Sequence, residues 1–121
     1  MNFGRLKQSF VDAGRGVFYV YKNEQNFRLQ LLTAIAVLLL SFVLQLNREE
    51  TVIVLFLIFL VLGLELLNTV LEKFLDLLKP RLHYQVKVLK DITAAMVLLA
   101  SFGAAIIGLV IFLPKFIGLL E

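Results

Sequence analysis

Three long apolar segments divide the chain and predict its main helices. The first covers residues 29–46, and its polar side chains are Gln30, Thr33, Ser41 and Gln45. The second covers residues 51–78; its apolar part ends at Leu64, and Pro80 closes it because a proline disfavours helical geometry in the residue before it. The third covers residues 92–113. Segments of about twenty apolar residues cross the hydrocarbon core as helices, so each predicts a transmembrane helix.

A shorter segment, residues 2–22, has a different pattern. Its apolar side chains recur at helical spacing, from Phe3 through Leu6 and Phe10 to Tyr21, with basic and polar residues between them. This pattern predicts an amphipathic helix on the membrane surface, with its Lys and Arg side chains toward the lipid headgroups. Together the segments predict an all-α integral membrane protein with a surface helix and three transmembrane helices in a single domain, residues 1–121.

Composition supports the membrane class. The chain is 60% hydrophobic and 17% charged, with a mean hydropathy of +0.92. Soluble domains are closer to half apolar and a quarter charged. The absence of cysteine excludes disulfides and thiolate metal sites.

The basic residues are distributed unevenly across the predicted membrane. With three crossings, one side carries ten of the twelve Lys and Arg residues. These ten are Arg5, Lys7, Arg15, Lys22, Arg28, Lys73, Lys79, Arg81, Lys87 and Lys90. The other side carries Arg48 and Lys115. Because basic residues concentrate on the cytoplasmic side, the N-terminus and the polar connection at residues 79–90 are predicted to be cytoplasmic. The net charge of +3 therefore bears on orientation and does not indicate nucleic-acid binding.

A stripe of polar residues follows the apolar part of the second segment. Glu65, Asn68, Glu72 and Asp76 are spaced by three, four and four positions, which places them on one helix face. The three carboxylates repel one another, so the stripe is destabilising unless a cation or a basic partner compensates. An ionisable residue at the end of an apolar run, such as Glu65, is a candidate functional residue.

Carboxylates beside basic residues at a membrane boundary suit two kinds of chemistry. Mg²⁺ prefers oxygen ligands, commonly one or two carboxylates with substrate phosphates, and phosphoryl transfer depends mainly on positioning and charge neutralisation. Ionisable groups in membrane helices also mark ion pathways. Neither GxxxxGK followed by Ser or Thr nor GxGxxG occurs, so a soluble-type kinase nucleotide fold is excluded. The residues alone leave phosphoryl transfer and ion transport open.

Three sequence motifs resemble those of a known protein family. The run from Glu65 to Asp76 has the form E-x-x-N-S/T-x-I/L-E-x-x-x-D, and residues 24–28 have the form E-x-N-x-R. Downstream, residues 83–91 have the form H-x-x-x-K-x-x-K-D and are followed by the pair Ala94 and Ala95. In this order the motifs resemble those of the prokaryotic diacylglycerol kinase and undecaprenol kinase family, over nearly the whole chain. The resemblance implies a three-span lipid kinase that assembles as a homotrimer, with active sites between subunits at the cytoplasmic interface.

The resemblance also implies roles for individual residues. Glu65 would be the general base on the lipid hydroxyl, and Glu24 and Glu72 would hold the Mg²⁺ that bridges the ATP phosphates. Further site residues implied in the same way are Asn68, Asp76, Lys90 and Asp91, with Lys90 toward the phosphates. Arg15, His83 and Lys87 are nucleotide-site candidates, and Asn26, Arg28 and Asn68 are lipid-site candidates beside Glu65.

Two lipid alcohols, undecaprenol and diacylglycerol, are candidate substrates. The Asn68-Thr69 pair and the E-x-N-x-R motif resemble the undecaprenol kinase branch, while diacylglycerol stays open because an apolar groove discriminates chains weakly. Gln30 stands where many family members have His, which bears on lipid choice. The expected location is the bacterial cytoplasmic membrane. A proton- or ion-linked transporter and a non-catalytic scaffold are the alternatives; a transporter would place ionisable groups near mid-bilayer, where this chain is apolar.

Overall fold

The computed structural model describes residues 1–81 and 83–121. This part of the chain forms four helices: α1 (Phe3–Asn23), α2 (Gln25–Val43), α3 (Arg48–Leu78) and α4 (His83–Leu120). Helices α2, α3 and α4 are long and apolar enough to cross a membrane. The predicted all-α fold with three membrane-length helices is therefore confirmed.

Helices α1 and α2 meet at a sharp junction. Glu24 has extended backbone angles, with φ −115° and ψ 112°, and this single residue separates the two helices. The guanidinium of Arg28 donates hydrogen bonds to the carbonyls of Tyr21 (2.8 Å) and Lys22 (3.0 Å). These carbonyls lie in the last turn of α1, where no intrahelical partner is available. Arg28 therefore fixes the angle of the junction and the position of Glu24.

Helix α3 is the centre of the molecule. Both α2 and α4 pack against it, and α1 contacts α2 and α3. The buried residues of α3, namely Val54, Val61, Glu65, Thr69 and Leu75, lie along its length. Lys73 of α3 also lies over the ring of Tyr19, 5.9 Å from its centroid, and this cation–π contact ties α1 to α3. Side chains on α3 are thus placed to face all three other helices.

Local interactions determine where α3 begins and ends. At its start, the Asn47 side chain accepts a hydrogen bond from the Glu50 amide (2.9 Å), and the Glu50 carboxylate accepts one from the Asn47 amide (3.0 Å). This reciprocal capping box satisfies two amides that the helix leaves free. At its end, α3 stops at Leu78, two residues before Pro80, as the sequence predicts.

The observed helix ends differ from the predicted ones in five places, two of which are the starts of α2, at Gln25 instead of residue 29, and of α3, at Arg48 instead of residue 51. Helix α4 begins at His83 instead of residue 92, so the predicted polar connection at 79–90 is mostly helical. Val86 is 2% exposed and anchors the early turns of α4 in the packed interior, which lets polar residues occupy the outer side of the helix. Helix α4 also continues through Pro114 to Leu120. Helix α2 ends at Val43 instead of residue 46, because Gln45 has a left-handed φ of 52°.

Most large apolar side chains lie on the surface of the chain. Phe42, Leu77 and Leu99 are among many that are largely exposed, whereas buried residues are few on each helix. In water such apolar surface marks a region that binds a membrane or another protein. The exposure fits a protein whose surroundings are lipid.

Candidate active site

The polar stripe of α3 contains a buried carboxylate. Glu65 is 5% exposed, although charged residues are rarely buried without a partner. It lies one position beyond the apolar part of α3, and Thr69, one turn further along, is also 5% exposed. The Thr69 hydroxyl donates a hydrogen bond to the Glu65 carbonyl (3.1 Å), which leaves the Glu65 carboxylate free for other partners.

Two more carboxylates lie near Glu65. Glu24, at the junction of α1 and α2, and Glu72, two turns further along α3, are both close enough to repel its negative charge. The side chain of Gln30, from the first turns of α2, also lies near the Glu65 carboxylate. Folding therefore brings together two predicted metal ligands and the predicted base from separate segments of the chain.

Asn68 lies between the carboxylates of the stripe. Its amide nitrogen donates a hydrogen bond to the Glu72 carboxylate (3.3 Å), so it holds one of the predicted metal ligands. Its amide oxygen is buried and has no hydrogen-bond partner among the described residues. A buried acceptor without a donor is destabilising by about 1–3 kcal/mol. The oxygen is thus available to a donor that binds from outside, such as a water molecule or a hydroxyl.

A charged pair joins α3 to α4 beyond the apolar segment. Lys90 donates a hydrogen bond to the Asp76 carboxylate, and both side chains are partly exposed. This hydrogen bond lowers the pKa of Asp76, and the nearby charges of Lys90, Lys79 and Lys73 add to the effect. The pair leaves the Lys90 ammonium beside the acidic stripe, where it can balance negative charge on a bound group.

The other predicted site residues are exposed. Arg15 is exposed in the middle of α1 and pairs with Asp12 (3.3 Å). His83, Lys87 and Asp91 are exposed on the first turns of α4, and Asn26 is exposed on the first turn of α2. Arg28 binds carbonyl oxygens of α1, as described above. These bonds hold Arg28 at the α1–α2 junction, next to Glu24.

The donor set of the cluster suits a cation with oxygen ligands. No three Asp, Glu, His or Cys side chains converge as a complete metal-binding group within residues 1–81 and 83–121. The Glu24 side chain makes no capping hydrogen bond to α2, and Asn68 orients Glu72. Two such carboxylates fit Mg²⁺, which is usually bound by one or two carboxylates with phosphate oxygens and waters.

One polar contact at the site was not predicted from the sequence. The Gln30 side-chain nitrogen donates a hydrogen bond to the Ser101 hydroxyl of α4 (2.9 Å). The bond joins α2 to α4 across α3 and holds the amide that faces Glu65. The available signal was that both residues are polar positions inside otherwise apolar helices, where such residues often bond between helices.

Comparison with known proteins gives three matches. The description "Prokaryotic diacylglycerol kinase" belongs to a family model that matches residues 12–112. The undecaprenol kinase of Bacillus subtilis is 40% identical over 111 residues, which cover 92% of this chain and 90% of that protein. The diacylglycerol kinase of Synechocystis sp. is 35% identical over 116 residues, which cover 95% of this chain and 66% of that protein.

Proposed function

The chain belongs to the prokaryotic diacylglycerol kinase family, and we propose that it transfers a phosphoryl group from ATP to the hydroxyl of a membrane lipid alcohol, undecaprenol or diacylglycerol. Membership makes it a lipid kinase, and its three apolar helices make it a multi-pass membrane protein. The use of ATP, the identity of the lipid and the assignment of residues to roles are the proposal.

The observation that carries the proposal is the burial of Glu65 at the end of the apolar part of α3, beside Glu24 and Glu72. A lipid hydroxyl emerges from the bilayer at the boundary between apolar and polar residues. A base there must come within hydrogen-bonding reach of the hydroxyl to remove its proton during attack on the phosphorus. Glu65 is the carboxylate at that depth, so we assign it as the general base.

The metal and the phosphates belong on the cytoplasmic side of Glu65. Glu24 and Glu72 would hold Mg²⁺, which neutralises charge on the transferring phosphoryl group when it is bound. Asn68 orients Glu72 and offers its free oxygen to a donor of the lipid or of an ordered water. Lys90 would approach the phosphates, with Asp76 holding its ammonium in place. Asp91 follows Lys90 on the same turn and would line the nucleotide site with it.

More distant residues complete the proposed site at the membrane surface. Helix α1 would lie on that surface with Arg15 toward the headgroups and the nucleotide, and His83 and Lys87 would contact the nucleotide from α4. Asn26 would face the lipid headgroup, and Arg28 would act by fixing the α1–α2 junction. The uneven distribution of basic residues supports a cytoplasmic active site in the bacterial inner membrane.

The proposed assembly is a homotrimer. The sequence motifs resemble those of a family whose sites form between subunits, and large apolar side chains such as Leu99 and Phe102 are left exposed on α4. Partner copies would cover part of this surface, and lipid would cover the remainder. In a trimer of this kind, the exposed nucleotide candidates of α4 could serve the site of a neighbouring copy.

Transfer of radiolabelled phosphate from ATP tests the function directly. The purified chain in detergent is offered undecaprenol and diacylglycerol together, with and without Mg²⁺, and the labelled lipids are separated. We expect Mg²⁺-dependent labelling of at least one lipid and none with Glu65→Gln. Absence of labelled lipid would contradict the proposal. Uptake of protons or ions into sealed vesicles that contain the chain, without lipid phosphorylation, would favour the transporter alternative. If the chain shows neither phosphorylation nor uptake, the scaffold alternative is favoured.

A further inference from the structure

A hydrogen bond joins α2 to α4 at a place where the two helices are otherwise apart. The Gln30 side-chain nitrogen donates this bond to the Ser101 hydroxyl (2.9 Å), and both residues are half-buried. Among residues 1–81 and 83–121, the backbones of α2 and α4 pack on α3 and not on each other. The bond therefore spans the gap between the two helices, and it orders the long, flexible side chain of Gln30.

The amide of Gln30 can serve two neighbours at once. Its nitrogen carries two N–H donors, and one of them bonds Ser101. The Glu65 carboxylate also lies beside the Gln30 side chain. A carboxylate that acts as a base is ionised, and an ionised carboxylate only accepts hydrogen bonds. The second N–H of Gln30 is thus the group that suits Glu65, so a single nitrogen can join Ser101 to this carboxylate.

Other groups close to Glu65 do not hold its carboxylate in place. Glu24 and Glu72 repel its negative charge. The Thr69 hydroxyl bonds the backbone carbonyl of Glu65 and not its carboxylate. A general base works only within hydrogen-bonding reach of the proton that it removes, and a small displacement costs much of the rate. Gln30 is a neutral donor that can fix the carboxylate, and it can do so because Ser101 fixes its amide.

We propose that Ser101 is a positioning residue of the enzyme: its hydroxyl orients the Gln30 amide, and Gln30 in turn holds the Glu65 carboxylate toward the lipid hydroxyl. The inference rests on the proposed function, because Glu65 is the proposed base. It differs from a purely structural role, in which the bond would only fasten α2 to α4. A positioning role affects the chemical step, depends on Gln30 and leaves the binding of nucleotide unchanged.

The test removes the Ser101 hydroxyl and compares the result with a matched serine. Ser101→Ala deletes the acceptor of the Gln30 bond. Ser41→Ala is the control, because the Ser41 hydroxyl is also enclosed in a membrane-length helix but donates to the Val37 carbonyl of its own helix (2.7 Å). Gln30→Met keeps the length of the side chain and deletes its donors, and a variant with both changes, at Gln30 and Ser101, completes a double-mutant cycle. Phosphorylation of undecaprenol and of diacylglycerol is measured for each protein.

For Ser101→Ala we expect kcat to fall about tenfold, with the KM for Mg-ATP within about twofold of that of the unaltered chain. Ser41→Ala should leave both constants unchanged. In the Gln30→Met background, Ser101→Ala should change kcat by less than about twofold, because the residue through which it acts is already lost. An unchanged kcat in Ser101→Ala, an equal fall in Ser41→Ala, or an undiminished fall in the Gln30→Met background would overturn the proposal.

A measurement that needs no turnover separates this inference from the kinase function. Glutamine is labelled with nitrogen-15, and the side-chain amide signals of Gln30 are assigned in the nuclear magnetic resonance spectrum by their loss in Gln30→Met. Exchange of the Gln30 N–H protons with water should be about tenfold faster or more in Ser101→Ala, because the bond that protects them is lost. Glu65→Leu, which removes the second acceptor, should also speed the exchange, and Ser41→Ala should not.

The two measurements together distinguish the possible failures. If the unaltered chain phosphorylates neither lipid but the exchange shows the expected pattern, the proposed function fails and the positioning of Glu65 by Ser101 and Gln30 stands. Exchange that stays the same in Ser101→Ala or in Glu65→Leu would overturn the positioning role even when the kinase is active.

Discussion

Charged side chains are balanced at the start of α3 and repel one another towards its other end. At its start, Asn47 and Glu50 cap the helix reciprocally, and Glu50 pairs with Lys115 of α4 at 3.0 Å. Towards its other end, Glu65 is buried beside two other carboxylates, and Asn68 has a buried oxygen without a partner in the described part of the chain. The same helix thus combines a neutral, satisfied end with a strained, acidic one.

This difference indicates which end is built for stability and which for function. Each group at the start of α3 stabilises the helix or the contact to α4. Three features of the acidic stripe are destabilising: repulsion between carboxylates, burial of a charged group and a buried acceptor without a donor. A bound cation and substrate would relieve them. Such local conflicts concentrate at functional sites. The contrast can be tested by altering each end separately.

The largest expected effect on rate follows Glu65→Gln. Glutamine keeps the shape and the hydrogen bonding of the side chain but cannot accept the proton, so kcat should fall on the order of a hundredfold or more. Nucleotide binding should be nearly unchanged, and the melting temperature should not fall, because a buried negative charge is removed. Lipid phosphorylation, nucleotide binding and melting are measured on the same preparation.

The matched control is Glu50→Gln, at the satisfied end. It should keep its rate and lower the melting temperature, since the carboxylate that bonds the Asn47 amide and Lys115 is lost. Substantial turnover in Glu65→Gln with normal nucleotide binding would remove Glu65 as the base. A joint loss of rate and Mg-ATP affinity would make it a metal ligand instead.

Glu24→Gln and Glu72→Gln should give the next largest effect, on the response to Mg²⁺. Loss of an outer-shell partner costs about 10–100-fold in metal affinity, and loss of a ligand should cost at least as much. The apparent Mg²⁺ affinity is read from phosphorylation rates over a range of Mg²⁺ concentrations, and native mass analysis checks that the oligomer is intact. Full activity of either variant at low Mg²⁺ would contradict its role as a ligand.

A smaller effect is expected from Lys90→Gln. The change removes the partly exposed pair with Asp76 and the ammonium proposed to approach the phosphates, so KM for ATP should rise by up to about fivefold. Pairing lowers the pKa of Asp76, so its contribution to stability is present above the ordinary pKa of an aspartate and lost as pH falls through the lowered pKa. Lys90→Gln should therefore reduce the melting temperature at neutral pH and much less in acid. If the KM for ATP and the pH dependence of the melting temperature are both unchanged, Lys90 does not contribute to the nucleotide site.

The smallest effect on rate is expected from Asn47→Ala. The variant loses the side-chain cap of α3 and should be destabilised by about 1 kcal/mol, while its kcat and KM stay within about twofold. Melting in detergent and the standard phosphorylation assay measure the two effects. A clear loss of rate without a loss of stability would show that the start of α3 takes part in function, and the contrast between its ends would fail.

Much of the fold follows from local patterns. The apolar runs place three membrane-length helices, because a helix in lipid satisfies its own backbone hydrogen bonds whatever surrounds it. Pro80 ends α3 near the predicted residue, and the spacing from Glu65 to Asp76 puts the acidic stripe on one face. These features depend on residues within a few turns of each other, so the sequence alone determines them.

Other features depend on how the helices pack. The early start of α4 requires the burial of Val86, and its continuation past Pro114 brings Lys115 to Glu50. Only the tertiary structure brings Gln30 to Ser101, 71 positions apart, and places Glu24 beside Glu65. These contacts join side chains on different helices. Helical periodicity relates only residues within one helix, so it does not show which residues of different helices meet. The sequence thus supplied the candidate residues, and the packing of α2 and α4 on α3 decided which of them meet.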